Sequence, residues 1–168
     1  MIEIRKATLE DVDGICKVCT EGYRATYGNL KDKDYIEGTI REFYNTERVS
    51  KEVQEINHSW NGYFVAVSNG EVVGAGGGGF LNETECELFV LYLDPTRKRE
   101  GIGSKLLEAI TKDQIDRGGL IQWVSVAKGN KMGIPFYEAV GFEFVEERPD
   151  YYRQNEEDIS LRYKRRIG

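Results

Sequence analysis

Residues 87–105 read ELFVLYLDPTRKREGIGSK, and the architecture can be predicted outward from this segment. Glu87 to Leu93 is a nearly continuous apolar run, which is typical of a central strand buried on both faces. Asp94 and Pro95 end the run, and a basic loop that contains glycine follows. A stripe of apolar residues at helical spacing then begins at Ile102. The segment therefore predicts a buried strand, a loop and a helix in direct succession.

The loop has the composition of an anion-binding site. The first N–H groups of a helix lack partners within the helix and lie at the positive end of its dipole. Gly101 and Gly103 allow a bulky pyrophosphate to approach the backbone closely. Basic side chains add positive charge here: Arg97, Lys98, Arg99 and Lys105. A basic loop with a glycine turn and no ligand is the alternative that this segment alone leaves open.

Two familiar phosphate loops do not fit the segment. A Walker loop requires GxxxxGK[ST], whereas Ser104 and Lys105 stand in the opposite order and no matching first glycine precedes them. A dinucleotide fingerprint requires GxGxxG, and Leu106 occupies the position of its third glycine. Both motifs are therefore excluded.

The N-terminal part of the chain predicts a strand followed by helices. Ile2 and Ile4 alternate with charged residues, as in a strand. Thr8 is a suitable N-cap for a helix that runs from Leu9 to about Tyr23. The charged stretch that follows has apolar residues at roughly helical spacing, and it predicts one or two helices over residues 32–56.

Residues 63–75 predict a β-hairpin. Asn69-Gly70 between two apolar runs is the strongest short hairpin signal. The glycine run from Gly76 to Gly79 allows two interpretations, a linker or a bulged and closely packed strand. The flanking strands favour the second.

The C-terminal part alternates between helix and strand. The helix that begins at Ile102 ends at Gly118-Gly119. We then predict a strand over 120–127, a short helix over 130–140 and strands over 141–145 and 159–163. This order is typical of a mixed α/β sheet with helices packed on it. The length of 168 residues and the lack of an evident linker predict one domain, residues 1–168.

Composition narrows the class of protein. The net charge of −6 argues against a general nucleic-acid binder. The apolar runs are too short to cross a bilayer, and the N-terminus lacks the apolar stretch of a signal peptide, so we expect a cytoplasmic protein that binds no membrane. Cys16 and Cys19 form a CxxC, but Cys86 and His58 are the only other cysteine and histidine. We therefore expect core packing for this pair and no metal site.

Two motifs resemble those of the GNAT N-acetyltransferase superfamily. Lys98 to Gly103 resembles the [RQ]xxGx[GA] loop of that family, with lysine at its first position. Asn130 to Phe142 resembles its NxxAxxFYExxGF element, with Gly133 in place of the alanine. The strand before the loop and a first strand at residues 2–5 are also similar, so the resemblance spans most of the chain. It implies a GNAT-like fold of the α/β class (α+β, with a mixed sheet). In this fold a central sheet of six to seven mostly antiparallel strands is splayed, and about four helices flank it.

The resemblance implies acetyl transfer from acetyl-CoA to a primary amine by direct attack in a ternary complex. The backbone of Leu91 and Leu93 is expected to pair with the pantetheine arm, and Asn130 to contact the cofactor near that arm. The pyrophosphate is expected to bind the loop and the helix start: Lys98, Arg99, Glu100, Gly101, Ile102, Gly103 and Ser104. Glu100 stands where a neutral or basic residue is common in the family. An acid there repels a pyrophosphate unless its side chain turns to solvent.

Three residues are implied in catalysis. The N–H of Leu91 is the expected donor to the thioester oxygen, which carries charge in the tetrahedral intermediate. Tyr137 is the expected general acid for the leaving thiolate and a cofactor contact, with buried packing as its alternative. Glu87 is the candidate base and Glu85 a second option. For both glutamates the alternative is an exposed acid at the strand end.

The acceptor is predicted as a small-molecule or peptide amine. The acidity of the chain favours a cationic amine such as a polyamine, an aminoglycoside or a lysine side chain. Tyr27, Tyr35 and His58 are candidates for the acceptor pocket. The alternatives are a catalytically silent CoA-binding module of the same fold, an unrelated nucleotide-phosphate binder and a homodimeric structural protein. A homodimer is also compatible with the enzyme.

Overall fold

The computed structural model describes residues 1–97, 99–149 and 159–168, and these residues contain seven strands. The strands are β1 (Ile2–Lys6), β2 (Tyr63–Ser68), β3 (Glu71–Phe80), β4 (Glu85–Leu93), β5 (Ile121–Ala127), β6 (Glu143–Pro149) and β7 (Ile159–Arg166). They form one sheet in the order β1-β2-β3-β4-β5-β7-β6. Neighbouring strands are antiparallel except for β4 and β5, which are parallel. The predicted mixed, mostly antiparallel sheet is confirmed.

Five α-helices accompany the sheet in the described part of the chain, where about four were expected. They are α1 (Val12–Tyr27), α2 (Lys33–Phe43), α3 (Thr46–Gln54), α4 (Ile102–Asp116) and α5 (Gly133–Ala139). The additional helix arises because the charged stretch after α1 divides at Asn45. The Asn45 side chain accepts a hydrogen bond from the N–H of Arg48 at 2.8 Å and so caps α3.

The chain enters α1 through a 3₁₀ turn at Leu9–Asp11, so the α-helix begins later than predicted. The Asp11 carboxylate accepts a hydrogen bond from the N–H of Thr8 at 2.7 Å and pairs with Arg5 at 2.7 and 3.0 Å. The hydrogen bond from Arg5 is the main cause that lowers the pKa of Asp11. This pair ties the end of β1 to the start of α1.

The two faces of the sheet bury separate clusters of apolar side chains. Helix α4 covers one face with Ile102, Leu106, Leu107 and Ile110, which pack with Leu88 and Val124. Helices α1 and α3 cover the other face with Val12, Ile15, Val18, Cys19 and Val49, which pack with Val65. Burying each aliphatic side chain of this kind stabilises the folded state by about 1.5–3 kcal/mol relative to leaving it exposed. The sheet is therefore held in place from both sides up to β4.

The glycine run lies inside β3, and the linker interpretation is wrong. A Cβ on residue 79 would lie 1.8 Å from the main-chain oxygen of Ser59. A Cβ on residue 78 would lie 2.1 Å from the main-chain oxygen of Glu87. Because these contacts involve backbone atoms, only glycine allows the segments to approach so closely. The register with β4 shifts between Gly77 and Gly78, so the prediction of a bulged, closely packed strand is confirmed.

The parallel strands β4 and β5 separate before either of them ends. Their ladder ends at the pair of Leu88 with Val124, whereas β4 continues to Leu93 and β5 to Ala127. Strand β5 stays paired with β7 over its whole length. The expected splay of the sheet is therefore present. We call the opening between the C-terminal halves of β4 and β5 the splay gap.

The two cysteines of the CxxC pattern pack in the core, as predicted. Cys19 is fully buried, Cys16 is partly buried, and both are free thiols. Burial raises the pKa of the Cys19 thiol. Within residues 1–97, 99–149 and 159–168, no three His, Cys, Asp or Glu side chains group so that they could hold a metal ion. No helix of the same residues is both long and apolar enough to span a membrane.

Candidate active site

Strand β4 directs hydrogen-bonding groups of its backbone into the splay gap. The N–H of Asp94 donates to the carbonyl of Val73 at 2.9 Å, so the backbone of Asp94 faces β3. Along an antiparallel strand, successive residues direct these groups alternately toward one neighbour and the other. Tyr92 therefore also faces β3, whereas Leu91 and Leu93 direct their N–H and C=O groups toward the gap. These are the two residues that the family resemblance assigns to the pantetheine arm.

A β-bulge in β4 produces this orientation. Phe89 is the extra residue between the pairs that Leu88 and Val90 form with β3. Side chains alternate in a regular strand, so residues three positions apart would face opposite sides of the sheet. Leu88 and Leu91 are three apart, yet both pack in the cluster beneath α4. The bulge therefore resets the direction of β4 at the point where β5 leaves it.

The N-terminus of α4 has the geometry of an anion site. Gly101, the residue before the helix, is left-handed with φ 74°, and Arg99 is left-handed with φ 67°. The N–H of Lys105 donates to the carbonyl of Gly101 at 3.0 Å. The N–H groups of residues 102–104 therefore have no partner within the helix. Such groups at the positive end of a helix dipole suit a pyrophosphate.

Glu100 turns toward Arg97 in the loop. Arg97 donates to both of its carboxylate oxygens, at 3.0 and 2.7 Å. This hydrogen bonding is the main cause that lowers the pKa of Glu100. The negative charge of Glu100 is thus matched within the loop, which offsets the repulsion that we expected. Lys98, the first residue of the motif, lies outside the described residues.

The residues at the start of α4 differ in their exposure to solvent and in their contacts. Ile102 is buried and Ser104 is exposed. A Cβ on Gly103 would lie 3.3 Å from Leu93 and 3.6 Å from the ring of Phe136. The end of β4, the start of α4 and α5 therefore meet at Gly103.

Helix α5 carries Tyr137, the predicted general acid. Its ring contacts those of Phe136 and Phe142 edge to face, with centroids 5.1 and 5.5 Å apart. Burial raises the pKa of the Tyr137 hydroxyl, and the nearby Tyr27 adds to this effect. The phenol therefore keeps its proton at neutral pH, as a general acid must.

Asn130 sets the start of α5. Its side-chain oxygen accepts hydrogen bonds from the N–H groups of Met132 at 3.2 Å and Gly133 at 2.8 Å. A Cβ on Gly133 would lie 2.6 Å from the Asn130 amide nitrogen, so the glycine leaves room for this capping side chain. The contact of Asn130 with the cofactor stays a prediction.

Glu87 forms an ion pair with Arg162 of β7, a residue to which the sequence motifs assign no role. Glu87 Oε2 accepts a hydrogen bond from Arg162 Nη1 at 2.8 Å, and each side chain is 10% exposed. Arg162 also donates to Ser125 Oγ at 2.7 Å and lies 4.9 Å from the ring centroid of Trp123. Leu88 faces α4, so its neighbour Glu87 faces the opposite side of the sheet. The alternative of an exposed strand-end acid is wrong for Glu87, which forms a buried ion pair next to the splay gap.

Glu85 is held by two neutral donors. Its carboxylate accepts hydrogen bonds from Asn82 at 2.8 Å and from the indole N–H of Trp123 at 3.0 Å. These hydrogen bonds, the one from Asn82 first, lower the pKa of Glu85. A carboxylate with a lowered pKa is a weaker base, which counts against Glu85 as the base.

A cluster of tyrosines covers β4 on the face opposite α4. The ring of Tyr23 lies 4.4 Å from that of Tyr27 and 5.9 Å from that of Tyr92. Tyr35 and Tyr44 also belong to the cluster. The structure therefore brings Tyr27 and Tyr35 together in one cluster. The cluster also contains Tyr92, which is the neighbour of Leu91 along β4. Tyr92, which sequence analysis read only as part of a buried strand, is the member that β4 itself contributes.

His58 lies elsewhere. Its ring stacks on Phe80 with centroids 4.6 Å apart, and Nε2 lies 2.9 Å from the carbonyl oxygen of Asn82. Phe80 pairs with Cys86 near the start of β4, roughly 16 Å of strand before Leu91. His58 therefore lies apart from the cluster that holds Tyr27 and Tyr35, and its place in an acceptor pocket stays a prediction.

Comparison with known proteins agrees with this geometry. Residues 28–142 match the acetyltransferase (GNAT) family. The spermidine N(1)-acetyltransferase of Thermoplasma acidophilum is 30% identical over 147 residues, which cover 84% of this chain and 88% of the relative. The ribosomal protein bS18-alanine N-acetyltransferase of Escherichia coli is 35% identical over 68 residues, which cover 40% of this chain and 46% of the relative.

A solved structure extends the likeness to almost the whole chain. The crystal structure of the PaiA N-acetyltransferase from Thermoplasma acidophilum in complex with coenzyme A has a TM-score of 0.80 to this protein. The two are 26% identical, and the match covers 98% of this chain and 99% of that one. Family match, overall fold and splayed parallel strands agree. The chain therefore belongs to the acetyltransferase (GNAT) family and is an acetyl-CoA-dependent N-acetyltransferase.

Proposed function

We propose that the enzyme transfers the acetyl group directly from acetyl-CoA to a cationic primary amine within a ternary complex. The observation that carries this proposal is the orientation of Leu91 and Leu93, whose backbone groups face the splay gap. The pantetheine arm has amides of its own and can add to β4 there, in the place that β5 leaves open. The N-terminus of α4, which follows β4 after one loop, is then in position for the pyrophosphate.

The residues around the gap suit the two halves of the reaction. The amine nitrogen attacks the thioester carbon, a C–N bond forms, and negative charge develops on the thioester oxygen. The N–H of Leu91 stabilises this charge as a fixed donor. The C–S bond then breaks, the sulfur takes the proton of the Tyr137 hydroxyl, and the proton that the new amide nitrogen loses restores the phenol through solvent. The Tyr137 hydroxyl carries its proton at neutral pH, because burial keeps its pKa above the already high ordinary value.

The attacking amine must lose its proton before or during the attack. Glu87 is the candidate to accept it, directly or through water, because its carboxylate lies on β4 close to the splay gap. Arg162 holds that carboxylate in place by an ion pair at 2.8 Å. The competing candidate, Glu85, is engaged by Asn82 and Trp123.

A cationic acceptor is favoured by groups along β4. Arg162 matches the charge of Glu87. The carboxylate of Glu85, however, is bound by the neutral donors Asn82 and Trp123 and supplies negative charge. The faces of aromatic rings such as that of Tyr92 attract cations. The net charge of −6 acts in the same direction. A relative of matching length is a spermidine N(1)-acetyltransferase, which supports a polyamine as the first acceptor to try.

An acceptor panel with thiol-release detection tests the substrate class. It contains spermidine, a lysine-containing peptide, a peptide with N-terminal alanine and a neutral amine of similar size. We expect kcat/KM for spermidine to exceed that for the neutral amine about tenfold or more. A preference for the neutral amine would contradict the proposal. A preference for the alanine peptide would move the acceptor to protein N-termini, as in the bS18 relative.

Two-substrate kinetics test the direct attack. Initial rates at several fixed acetyl-CoA concentrations should give intersecting double-reciprocal lines, because both substrates bind before the transfer. Parallel lines would indicate a covalent acetyl-enzyme and would overturn direct attack. The family assignment is independent of this outcome.

A further inference from the structure

A chain of polar side chains runs beneath α4 from β4 to the end of α5. Gln114 donates to the main-chain oxygen of Glu87 at 3.1 Å, and its side-chain oxygen accepts from Gln122 at 2.8 Å. Arg165 donates to the side-chain oxygen of Gln122 at 2.9 Å and to the main-chain oxygen of Val140 at 2.7 Å. We call Gln114, Gln122 and Arg165 the Gln–Gln–Arg chain.

One end of the Gln–Gln–Arg chain holds the strand at its bulge. The bulge disturbs the ladder between β3 and β4, and Gln114 supplies a donor to a carbonyl beside it. A Cβ on Gly78 would lie 2.7 Å from the Gln114 amide nitrogen and 2.1 Å from the oxygen of Glu87. The glycine thus leaves the space through which the glutamine reaches β4. Leu91 lies on the same strand, just past the bulge.

The other end holds helix α5 at its C-terminus. Val140 is the residue that follows α5, and its carbonyl accepts from Arg165. The guanidinium of Arg165 also lies 4.6 Å from the ring centroid of Phe142. The ring of Phe142 in turn packs against that of Tyr137, and its N–H donates to the carbonyl of Tyr137 at 3.0 Å. Arg165 thus contacts both the end of α5 and the ring beside its tyrosine.

The burial of its two glutamines indicates what the Gln–Gln–Arg chain contributes to the structure. Gln114 and Gln122 are both 0% exposed. Burying two amides costs free energy that apolar side chains of similar volume would not cost, unless every hydrogen bond is made. Thr111 of α4 helps to make them, with its hydroxyl 3.0 Å from Gln122 and 3.1 Å from Arg165. Directional bonds fix how far one element can slide past another, which apolar contacts do weakly.

We propose that the Gln–Gln–Arg chain is a positioning device that fixes Tyr137 relative to the N–H of Leu91. It joins the bulge of β4 to the end of α5 through side chains on α4, β5 and β7. The thioester oxygen and the leaving sulfur then meet their donors at the same time. A displacement of about 1 Å at such a site can lower the rate about 100-fold. The inference rests on the roles proposed above for Leu91 and Tyr137.

The test begins with Arg165→Met. Methionine has a similar length and fills the place beside Phe142, but it removes the cation over that ring and the donors to Gln122, Val140 and Thr111. We expect kcat to fall about tenfold while the Kd of coenzyme A, measured by calorimetry, changes less than about twofold. Val49→Ala is the matched control because Val49 is buried on α3, which takes no part in the chain. Turnover of Arg165→Met no lower than that of Val49→Ala would overturn the inference.

A double-mutant cycle with Tyr137→Phe separates positioning from general destabilisation. In the Tyr137→Phe background, Arg165→Met should lower kcat less than about twofold, because the acid that it positions is gone. A full further tenfold loss would show that the two residues act independently, and it would overturn this inference while leaving the proposed function intact. Parental turnover of Tyr137→Phe itself would overturn the proposed acid, and this inference with it.

Thr111→Val replaces Arg165→Met in the cycle if the methionine variant does not fold. Valine matches the shape of threonine and removes the hydroxyl that both Gln122 and Arg165 contact. We expect a smaller loss of kcat, about threefold, which again disappears in the Tyr137→Phe background. A loss of the same size in both backgrounds would overturn the inference.

Discussion

The proposed acid Tyr137 and the proposed base Glu87 lie in different environments. Tyr137 lies among aromatic rings, and burial raises the pKa of its hydroxyl. Glu87 lies at a buried ion pair whose other member comes from β7. The first environment retains the proton that the proposed mechanism gives to the leaving sulfur. The second holds a carboxylate in one position on the face of the sheet opposite α4.

Tyr137→Phe should lower kcat about 100-fold while the Kd of coenzyme A changes little. The substitution removes the hydroxyl and retains the ring that contacts Phe136 and Phe142. Thiol release gives kcat, and calorimetry gives the Kd. Parental kcat would leave Tyr137 with a packing role alone.

Glu87→Gln should lower kcat/KM for a cationic amine about 100-fold at neutral pH. The amide cannot accept the proton of the amine and cannot attract an ammonium. Glu85→Gln is the matched control, and it should lower kcat/KM less than about threefold. Both are read from initial rates against pH. Equal losses in the two variants, or a pH–rate profile of Glu87→Gln that matches the parent, would remove Glu87 as the base.

Among the structural elements, β3 explains the glycine run. It passes close to the loop before β2 on one side and to the bulge of β4 on the other. Only glycine fits at these two contacts, because a side chain would collide with backbone atoms. Glycine has a low intrinsic preference for strands, yet the run from Gly76 to Gly79 forms part of β3 because its neighbours pack so closely. The same close approach makes room for Gln114 next to the bulge.

Gly79→Ala should destabilise the protein by about 3 kcal/mol, because a Cβ there would lie 1.8 Å from the main-chain oxygen of Ser59. Gly70→Ala is the comparison. Gly70 has φ 78° and nothing within 4 Å of its Cβ position, so the cost there is backbone strain alone. We expect about 1 kcal/mol for it. Denaturant unfolding measures both, and a Gly79→Ala cost no larger than that of Gly70→Ala would contradict the steric explanation.

At the scale of the whole molecule, contacts between distant segments connect the sheet with its helices. The Arg5–Asp11 pair joins β1 to the turn before α1, and Glu87–Arg162 joins β4 to β7. The Gln–Gln–Arg chain joins β4, α4, β5 and β7 to the end of α5. If the proposed roles hold, stability and catalytic geometry depend on the same framework.

Acid should remove the contribution of Asp11 to global stability. Arg5 lowers the pKa of Asp11 in the folded state, so this stability is present above the unfolded pKa of about 3.9. It is lost as the pH falls through the lower, folded pKa. Asp11→Asn should therefore cost about 1–2 kcal/mol at pH 7, and this cost should shrink below about pH 4. Denaturant unfolding across pH measures it, with the exposed Glu10→Gln as control; a cost that is independent of pH would contradict this role.

Local sequence was sufficient for most elements because helix and strand periodicity, caps and turns act over a few residues. The segment 87–105 predicted β4, the anion loop and α4, and the Asn69-Gly70 hairpin and the short helix with Tyr137 were also present in the sequence pattern. Both ends of α1 differed from prediction. At its start a 3₁₀ turn replaces the first helical turn, and the contact of Asp11 with Arg5 holds this turn. At its end the helix continues for one more turn to Tyr27, which packs in the tyrosine cluster.

Tertiary structure was needed for every feature that joins distant segments. The sequence contains Glu87, Arg162 and Gln114, but no local pattern pairs residues 75 positions apart, as Glu87 and Arg162 are. The bulge at Phe89 and the separation of β5 from β4 arise from register, and register is set by packing between strands. For the same reason Tyr92 was not foreseen in the tyrosine cluster. The sequence supplied the chemical groups, and the folding of one sheet around its splay gap brought them within reach of each other.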